Sequence, residues 1–296
     1  MADSFDALAA RWQRVPYHDS LGIRVESIEP ERVRVRVPYK DENSNPGRAL
    51  HGGVAASTIE IAAALASWTG IQAGPDVEAG TVDLSVNYLA AAIGEDIVAT
   101  AEVLRRGKEI VYSDVDIRND GGKRIAKGLV TYRAFDYAAQ PAARERQLDV
   151  QPQPPPSPSG ELIPGARAFV SVPFIARLGM EAERAAGGCA VLRMPFKMDN
   201  ADADGSVHAG ALAALIDTSG ALASWSITGL NFSYKASTVG IHVTYHAPAQ
   251  REEVIAHAQT LRRRNEIFLN AVTVVGRDSG RTVANGSVTY RIVVTD

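Results

Sequence analysis

The chain states one pattern twice, and that repetition limits its fold more than any other feature. "HGGVAASTIEIAAALASW" at 51–68 is answered by "HAGALAALIDTSGALASW" at 208–225, each position 157 residues on; His51/His208, Gly53/Gly210, Ala56/Ala213, Ile59/Ile216 and the whole run ALASW coincide. The same offset carries Leu21-Gly22 onto Leu178-Gly179, Pro38 onto Pro195, Lys40 onto Lys197, Thr81-Val82 onto Thr238-Val239 and Tyr88 onto Tyr245. "VTYR" at 130–133 returns at 288–291, an offset of 158, so the second copy has gained one residue before that point. Agreement on this scale exceeds what shared composition produces and makes the chain a tandem of two similar units. Between them "QPQPPPSPSG" (151–160) is too rich in Pro and Ser for helix or strand and reads as extended linker. The expected division is therefore 1–140, a linker over 141–160, and 161–296.

Within each copy the local patterns agree. "RVRVRV" (32–37), "TVDLSVNY" (81–88) and "GIHVTY" (240–245) alternate at period two, which predicts strands with one apolar face. From Glu95 to Phe135 the pattern is three strands in an antiparallel meander, turning at Arg106-Gly107 and at Asn119-Asp120-Gly121-Gly122. The segments 51–69 and 208–226 are the long helical candidates, built from Ala, Leu and Ile around most of the circumference. Such a helix is wrapped on several sides, not laid on a surface. A five- or six-stranded antiparallel sheet around one apolar helix is an α+β unit with a free strand edge, and the second copy supplies a partner for that edge. The expected assembly is an edge-to-edge pseudo-dimer with a continuous sheet.

Composition narrows the function classes. Thirty-four acidic and 31 basic residues, spread along the chain, leave a net charge of -3, which gives no broad electrostatic attraction to nucleic acid or to an anionic membrane. No stretch of 18 consecutive apolar residues is present, and the opening "MADSFDALAARWQR" carries two aspartates and no long apolar run. A single cysteine, Cys189, excludes an intrachain disulfide framework and fits a reducing compartment, with a buried core position as its expected place. Together these readings predict a cytoplasmic protein without nucleic-acid or membrane partners.

Glu60 and Asp217 break the pattern. Each is the only charged side chain in its apolar helix, nine residues after the histidine that opens it. A carboxylate in such a place costs several kcal/mol, on the order expected for an unpaired buried charge, unless something compensates it. Either a neighbouring strand or ion pair satisfies each acid, or the acids line a cleft between the two units and serve as base or nucleophile. The helix starts add a second ingredient, because their first N–H groups have no intrahelical acceptor and the helix dipole favours negative charge there. Gly52 permits close approach of a ligand to that backbone, and Ala209 adds only a methyl.

At these residues the sequence resembles the hot-dog fold thioesterases, specifically the phenylacetate-pathway (PaaI-like) type. The family pattern of an Asn, then His-Gly-Gly, then an acid nine residues after the His, then a Ser/Thr-Val-Asp strand is met by "NPGRALHGGVAASTIE" and "TVDLSVNYLAAA" in the first copy. The second copy, "DADGSVHAGALAALID" and "TVGIHVTYHAPA", carries Asp202 in place of the Asn and Ala209 in place of the first Gly. The resemblance implies two tandem hot-dog domains and hydrolysis of an acyl- or aryl-CoA thioester to the acid and CoA, with no metal or cofactor. It implies catalytic roles for Glu60, Asp217, Asn45, Gly52, Thr81 and Thr238, with the acid of each unit facing the helix start of the other. His51, Gly53, His208, Ala209 and Gly210 would shape the substrate loops. Association of two such chains into a homodimer is a further implication.

Remaining motifs are weaker. "RRGK" (105–108) and "RRRN" (262–265) occupy equivalent turns, where Arg106, Lys108, Arg263 and Arg264 either meet CoA phosphates or are simply solvated. His242 and His246 share a strand face without a third ligand of suitable spacing, a poor metal site. Alternative readings are a hot-dog dehydratase or hydratase on acyl thioesters, whose His loop is absent here, and a non-catalytic acyl-CoA binding module. Asp202 makes the two sites unequal: an ionised carboxylate would repel a developing oxyanion unless Asn200 takes over the donor role.

Overall fold

Each half begins with a pair of short helices stopped by a glycine. α1 (Phe5–Gln13) and α2 (Pro16–Leu21) precede Gly22 at φ 78°, and α4 (Ala166–Val170) and α5 (Pro173–Leu178) precede Gly179 at φ 71°, left-handed conformations that glycine adopts without strain. The structure, a computed structural model, describes residues 5–72, 74, 76–136 and 162–294, so the linker expected at 141–160 lies outside the described residues.

After these helices the first half forms β1 (Arg24–Glu29), β2 (Arg32–Val37), the long helix α3 (Gly52–Trp68), then β3 (Val77–Tyr88), β4 (Ile97–Arg106), β5 (Ile110–Asn119) and β6 (Arg124–Asp136). The second half repeats the order with β7 (Glu181–Ala186), β8 (Cys189–Met194), α6 (Ala209–Thr228), β9 (Lys235–Tyr245), β10 (Val254–Arg264), β11 (Ile267–Gly276) and β12 (Thr282–Val293). The inserted residue falls in the last hairpin: four residues, 120–123, separate β5 from β6, whereas five, 277–281, separate β11 from β12.

The strands form one antiparallel sheet in the order β1-β2-β4-β5-β6-β3-β9-β12-β11-β10-β8-β7. Its centre is the β3–β9 pair, where Ser85 lies opposite His242, its own repeat partner, so the local two-fold passes through that pair. The continuous sheet and the six-stranded units match the expectation from the sequence. Alternation holds as well: Val33, Val35 and Val37 are buried towards α3, while Arg36 faces out to Glu26 and Asp96. Cys189 departs from its expected place, being a half-buried residue at the start of β8 and not a core residue. No helix among the described residues is long and apolar enough to cross a membrane.

α3 and α6 lie against each other at their first turns. A Cβ on Gly53 would stand 2.7 Å from the Ala214 Cβ, and one on Gly210 would stand 2.9 Å from the Ser57 Cβ and 3.0 Å from its Cα. These are the same contact repeated by the two-fold, since Ala214 is the counterpart of Ser57. The Ser57 hydroxyl joins the helices, donating to Gly53 O (2.7 Å) or Gly210 O (2.9 Å), and shares a 2.7 Å hydrogen bond with the Tyr17 hydroxyl.

Gly53→Ala or Gly210→Ala should therefore force the helices apart, at about 1–3 kcal/mol each as for overpacked cores. Gly80→Ala, where nothing lies within 4 Å of the added methyl, is the control. Urea unfolding would test this; equal midpoints for all three variants would refute the close-contact argument.

Candidate active site

The helix contact sets the position of both acids. Glu60 and Asp217 are buried at 4% and 3% exposure, each two turns into its helix, and a strand threonine from the same half reaches each one. Thr81 Oγ1 donates to Glu60 Oε1 at 2.6 Å and Thr238 Oγ1 donates to Asp217 Oδ1 at 2.6 Å. One oxygen of each carboxyl is thus compensated by a neighbouring strand, as one reading of the sequence allowed. The other oxygen points across to the opposite half. A Cβ on Gly52 would lie 2.8 Å from Asp217 Oδ2, so the absence of a side chain there is what leaves room beside the acid. Glu60 Oε2 lies 3.9 Å from His208 Nδ1, at the start of α6.

Both histidines cap their helices. His51 Nδ1 accepts from the Gly53 N–H (2.9 Å) and His208 Nδ1 from the Gly210 N–H (3.0 Å), which consumes the second N–H of each helix and leaves the first, on Gly52 and Ala209, without an intrahelical acceptor. Tyr88 OH donates to Gly52 O at 3.1 Å and Tyr245 OH to Ala209 O at 3.0 Å, holding the first peptide of each helix from its far side. The two tyrosines stood out in the sequence as a repeated pair, but nothing in a single strand shows that its last residue reaches a helix start.

The two sites differ in their surroundings. Because Nδ1 of His208 accepts, its proton sits on Nε2, which lies 2.8 Å from His18 Nε2; His18 in turn donates through Nδ1 to Trp12 O at 2.7 Å. Burial holds both imidazoles neutral, far below the usual histidine range. The counterpart of His18 is Ile175, so His51 has no such partner and instead faces Phe174, ring centroids 4.7 Å apart. Arg177 lies over that Phe174 ring at 5.3 Å and donates to Ser20 Oγ (2.5 Å) and Asn43 Oδ1 (3.0 Å), tying α5 to the loop ahead of α3.

Asn45 is half-buried in that loop, with its N–H donating to Ala49 O (2.7 Å) and its side chain making no capping bond. Its counterpart Asp202 accepts at Oδ1 from the Ala203 N–H (2.6 Å), and burial raises its pKa above the usual carboxylate range. Asn200 does not substitute for the missing amide. Its Nδ2 donates to Pro195 O and its Oδ1 accepts from Lys197 N–H, both at 2.9 Å, so its own loop uses it up.

The basic turns are more committed than the sequence indicated. Arg106 donates to Glu31 Oε1 (2.8 Å) and to Ser67 O (3.1 Å) at the end of α3, and the exposed Arg263 donates to Asn265 O (3.0 Å) and covers the Phe268 ring. Lys108 and Arg264 are exposed. Arg264, with Arg262, which the sequence reading passed over, lines a groove of about 650 Å³ beside Ile267 and Leu269.

Desolvation separates the acids in strength. Burial is the main cause for both, opposed by the threonine hydrogen bond: Glu60 is pushed from 4.5 up to about 8, with Asp202 adding to the rise, and Asp217 from 3.8 up to about 6. At neutral pH Asp217 is mostly ionised and Glu60 mostly protonated.

Residues 47–126 and 204–283 each match the family model described as Thioesterase superfamily. Human acyl-coenzyme A thioesterase 13 is 34% identical over 111 residues, which is 37% of this chain and 77% of that protein. Two solved structures show the tandem fold over nearly the whole length: a protein of unknown function with hot dog fold from Alicyclobacillus acidocaldarius (16% identity, TM-score 0.63, 97% of this chain and 99% of that one) and acyl-CoA thioesterase II TesB2 from Mycobacterium marinum (13%, 0.65, 96% and 99%).

The weakened acidity of Glu60 bears on stability. Its protonated form is the one the fold favours, so stability is fully present below 4.5 and is lost as pH rises towards 8. Glu60→Gln keeps the acceptor for Thr81 and removes the titration, so it should stabilise the chain by up to about 3 kcal/mol at neutral pH. Melting curves at pH 5, 7 and 8 should show the gain growing with pH; a constant difference would be inconsistent with a buried titrating acid.

Proposed function

The chain belongs to the Thioesterase superfamily and is a thioester hydrolase; from that premise we propose that it cleaves acyl- or aryl-CoA thioesters to the carboxylic acid and CoA, with Asp217 as the working acid. The observation that carries this reading is the placement of Asp217 Oδ2 against the side-chain-free start of α3, across the boundary between the halves. A thioester carbonyl docked there receives the Gly52 N–H and the positive end of the α3 dipole, which stabilise the oxyanion as the carbonyl carbon becomes tetrahedral. Asn45 stands in the adjoining loop as a further donor.

Asp217 then acts in one of two ways. As a base it takes a proton from water while the water oxygen bonds to the carbonyl carbon; the C–S bond breaks and the CoA thiolate recovers the proton. As a nucleophile it forms a mixed anhydride with loss of the thiolate, and water then cleaves the anhydride. Both routes need the ionised carboxylate, and burial sets its titration at about 6, which suits work near neutrality. Thr238 fixes the carboxyl by donating to Oδ1, leaving Oδ2 for the reaction.

The Arg262–Arg264 groove supports the CoA end of this reading. Ile267 pairs with Arg291 and Tyr290 with Thr238, so β11 lies two strands, and β10 with Arg262 and Arg264 three strands, roughly 14 Å, from the strand that holds the Asp217 threonine. Guanidinium groups at that distance suit the phosphates of a CoA whose thioester is at Asp217. A PaaI-like activity in the cytoplasm, by two chains associated through the outer sheet face where Tyr112 and Leu129 are exposed, completes the proposal.

Asp217→Asn should lower kcat by about 10²-fold or more, the usual loss on removing a general base, whereas Arg264→Ala should raise KM and leave kcat unchanged. For the wild type, kcat/KM should rise with pH through about 6 and then level off, set by Asp217 with Tyr88 and Tyr290 facing it. A rise through about 8 instead would transfer the role to Glu60. Light scattering should show a particle of twice 31.6 kDa, and a species of 31.6 kDa alone would exclude the homodimer.

A further inference from the structure

Two arginines hold a backbone conformation that suits glycine, and they do so at exchanged positions. Arg48 lies at φ 63° and its repeat counterpart Gly205 at φ 81°; Arg251 lies at φ 51° and its counterpart Gly94 at φ 62°. Within each half the two positions face each other across one short bridge. The Gly94 N–H donates to Arg48 O (2.8 Å) beside the Ala49–Ile93 pair, and the Arg251 N–H donates to Gly205 O (3.3 Å) beside the Ser206–Gln250 pair. Both times the guanidinium lies against the opposite glycine: a Cβ on Gly94 would stand 2.8 Å from Arg48 Nη2, and one on Gly205 would stand 3.1 Å from Arg251 Nε. Glycine at both positions would form the same turn without strain, whereas an L side chain is strained there. What each half retains at that cost is a cation, delivered to one spot from either side of the bridge.

Arg48 belongs to the Asp217 side of the molecule. Its bridge continues with the Leu50 N–H donating to Ala92 O (2.8 Å) and ends at His51, so Arg48 stands four residues ahead of Gly52 on one loop. The guanidinium is exposed and sits 5.1 Å from the centre of the Tyr39 ring. The neighbouring carboxylate, Asp41, accepts from the Tyr39 hydroxyl (2.7 Å), and Arg48 forms no ion pair among the described residues. Two exposed apolar side chains lie on the same rim: Ile93, opposite Ala49, and Leu89, which follows the tyrosine bound to Gly52 O. Their counterparts in the second half are the exposed polar residues Gln250 and His246.

We propose that Arg48 binds the diphosphate of a CoA thioester whose carbonyl is at Gly52, and so sets the preference of the Asp217 site for thioesters that carry the nucleotide. The inference rests on the thioesterase reading of that site. Four residues of chain span at most about 14 Å. The pantetheine arm between thioester and diphosphate is an extended chain of comparable length, so a carbonyl held by the Gly52 N–H brings the diphosphate to Arg48. Leu89 and Ile93 then lie beneath the methyl-bearing part of the arm. A guanidinium fork meets phosphate oxygens two at a time, and the Tyr39 ring holds the fork in place before the ligand arrives.

Steady-state kinetics of Arg48→Gly with three substrates that share one acyl group test the proposal. Acyl-CoA carries every phosphate, acyl-dephospho-CoA lacks the 3′-phosphate, and S-acyl-pantetheine lacks them all. KM should rise about tenfold for the first two, the effect of losing a charge-assisted contact, and stay at the wild-type value for the third, with kcat unchanged throughout. The urea midpoint of Arg48→Gly should be no lower than that of the wild type, because glycine relieves the left-handed strain. Arg48→Ala, which keeps the strain and loses the cation, should repeat the KM pattern, and this separates the charge from any loosening of the loop by glycine. An equal rise with S-acyl-pantetheine would make Arg48 a shaper of the loop and overturn the proposal. A rise confined to acyl-CoA, which would assign Arg48 to the 3′-phosphate, would also overturn it, as would no rise at all. A wild type that hydrolyses none of a panel of alkyl and aryl acyl-CoAs would instead remove the thioesterase reading beneath it.

Discussion

Everything at the candidate site depends on how closely α3 and α6 meet at their first turns. Gly53 against Ala214 and Gly210 against Ser57 leave no space for even one additional methyl, and that closeness brings each acid within reach of the opposite helix start. A helix start supplies fixed partial positive charge, and a helix interior supplies a carboxyl in a dry setting; neither catalyses anything alone. Crossing two copies of the same helix at this distance joins the two ingredients twice. The sheet wrapped outside prevents the helices from separating, because β3 and β9 are hydrogen-bonded to each other at the same two-fold.

From this shared frame the two sites diverge through small local changes. One carboxyl sits by a glycine, with a phenyl ring on the neighbouring histidine, and titrates near 6. The other sits by an alanine, a histidine pair and a second carboxyl, and titrates near 8. Burial is the dominant influence in both, so most of the separation comes from what surrounds the acids, and the rest from the lower ordinary value of an aspartate. At neutral pH one carboxyl is therefore mostly ionised and the other mostly protonated.

Much of this could be read from the residues. Period-two strands, an apolar helix with a single acid and a 157-residue offset determine the units, and the one-residue drift is located in the β11–β12 turn. The threonines aligned with each acid were visible from the same offset. What could not be read involves residues brought together only by folding. His18 is an ordinary residue of a six-residue helix until its ring meets His208, 190 positions away. Arg106 looks like a solvated turn cation, yet it closes the end of α3 through Ser67 O, because a helix C-terminus attracts a donor that local sequence does not show. The pairing of each acid with the opposite half came from resemblance alone, since repeat patterns specify what each copy contains and not how the copies face one another.

The junction of β3 with β9 has a consequence for how such a molecule changes over generations. In an assembly of two identical subunits every substitution appears at both sites, so a residue that spoils one catalytic centre spoils its twin. Joining the copies in one polypeptide removes that tie, since position 45 and position 202 are encoded separately. One helix start can keep its amide while the other exchanges it for an acid, and selection acts on each alone. The pseudo-symmetric sheet keeps the geometry of a dimer while the genetics become those of two different proteins.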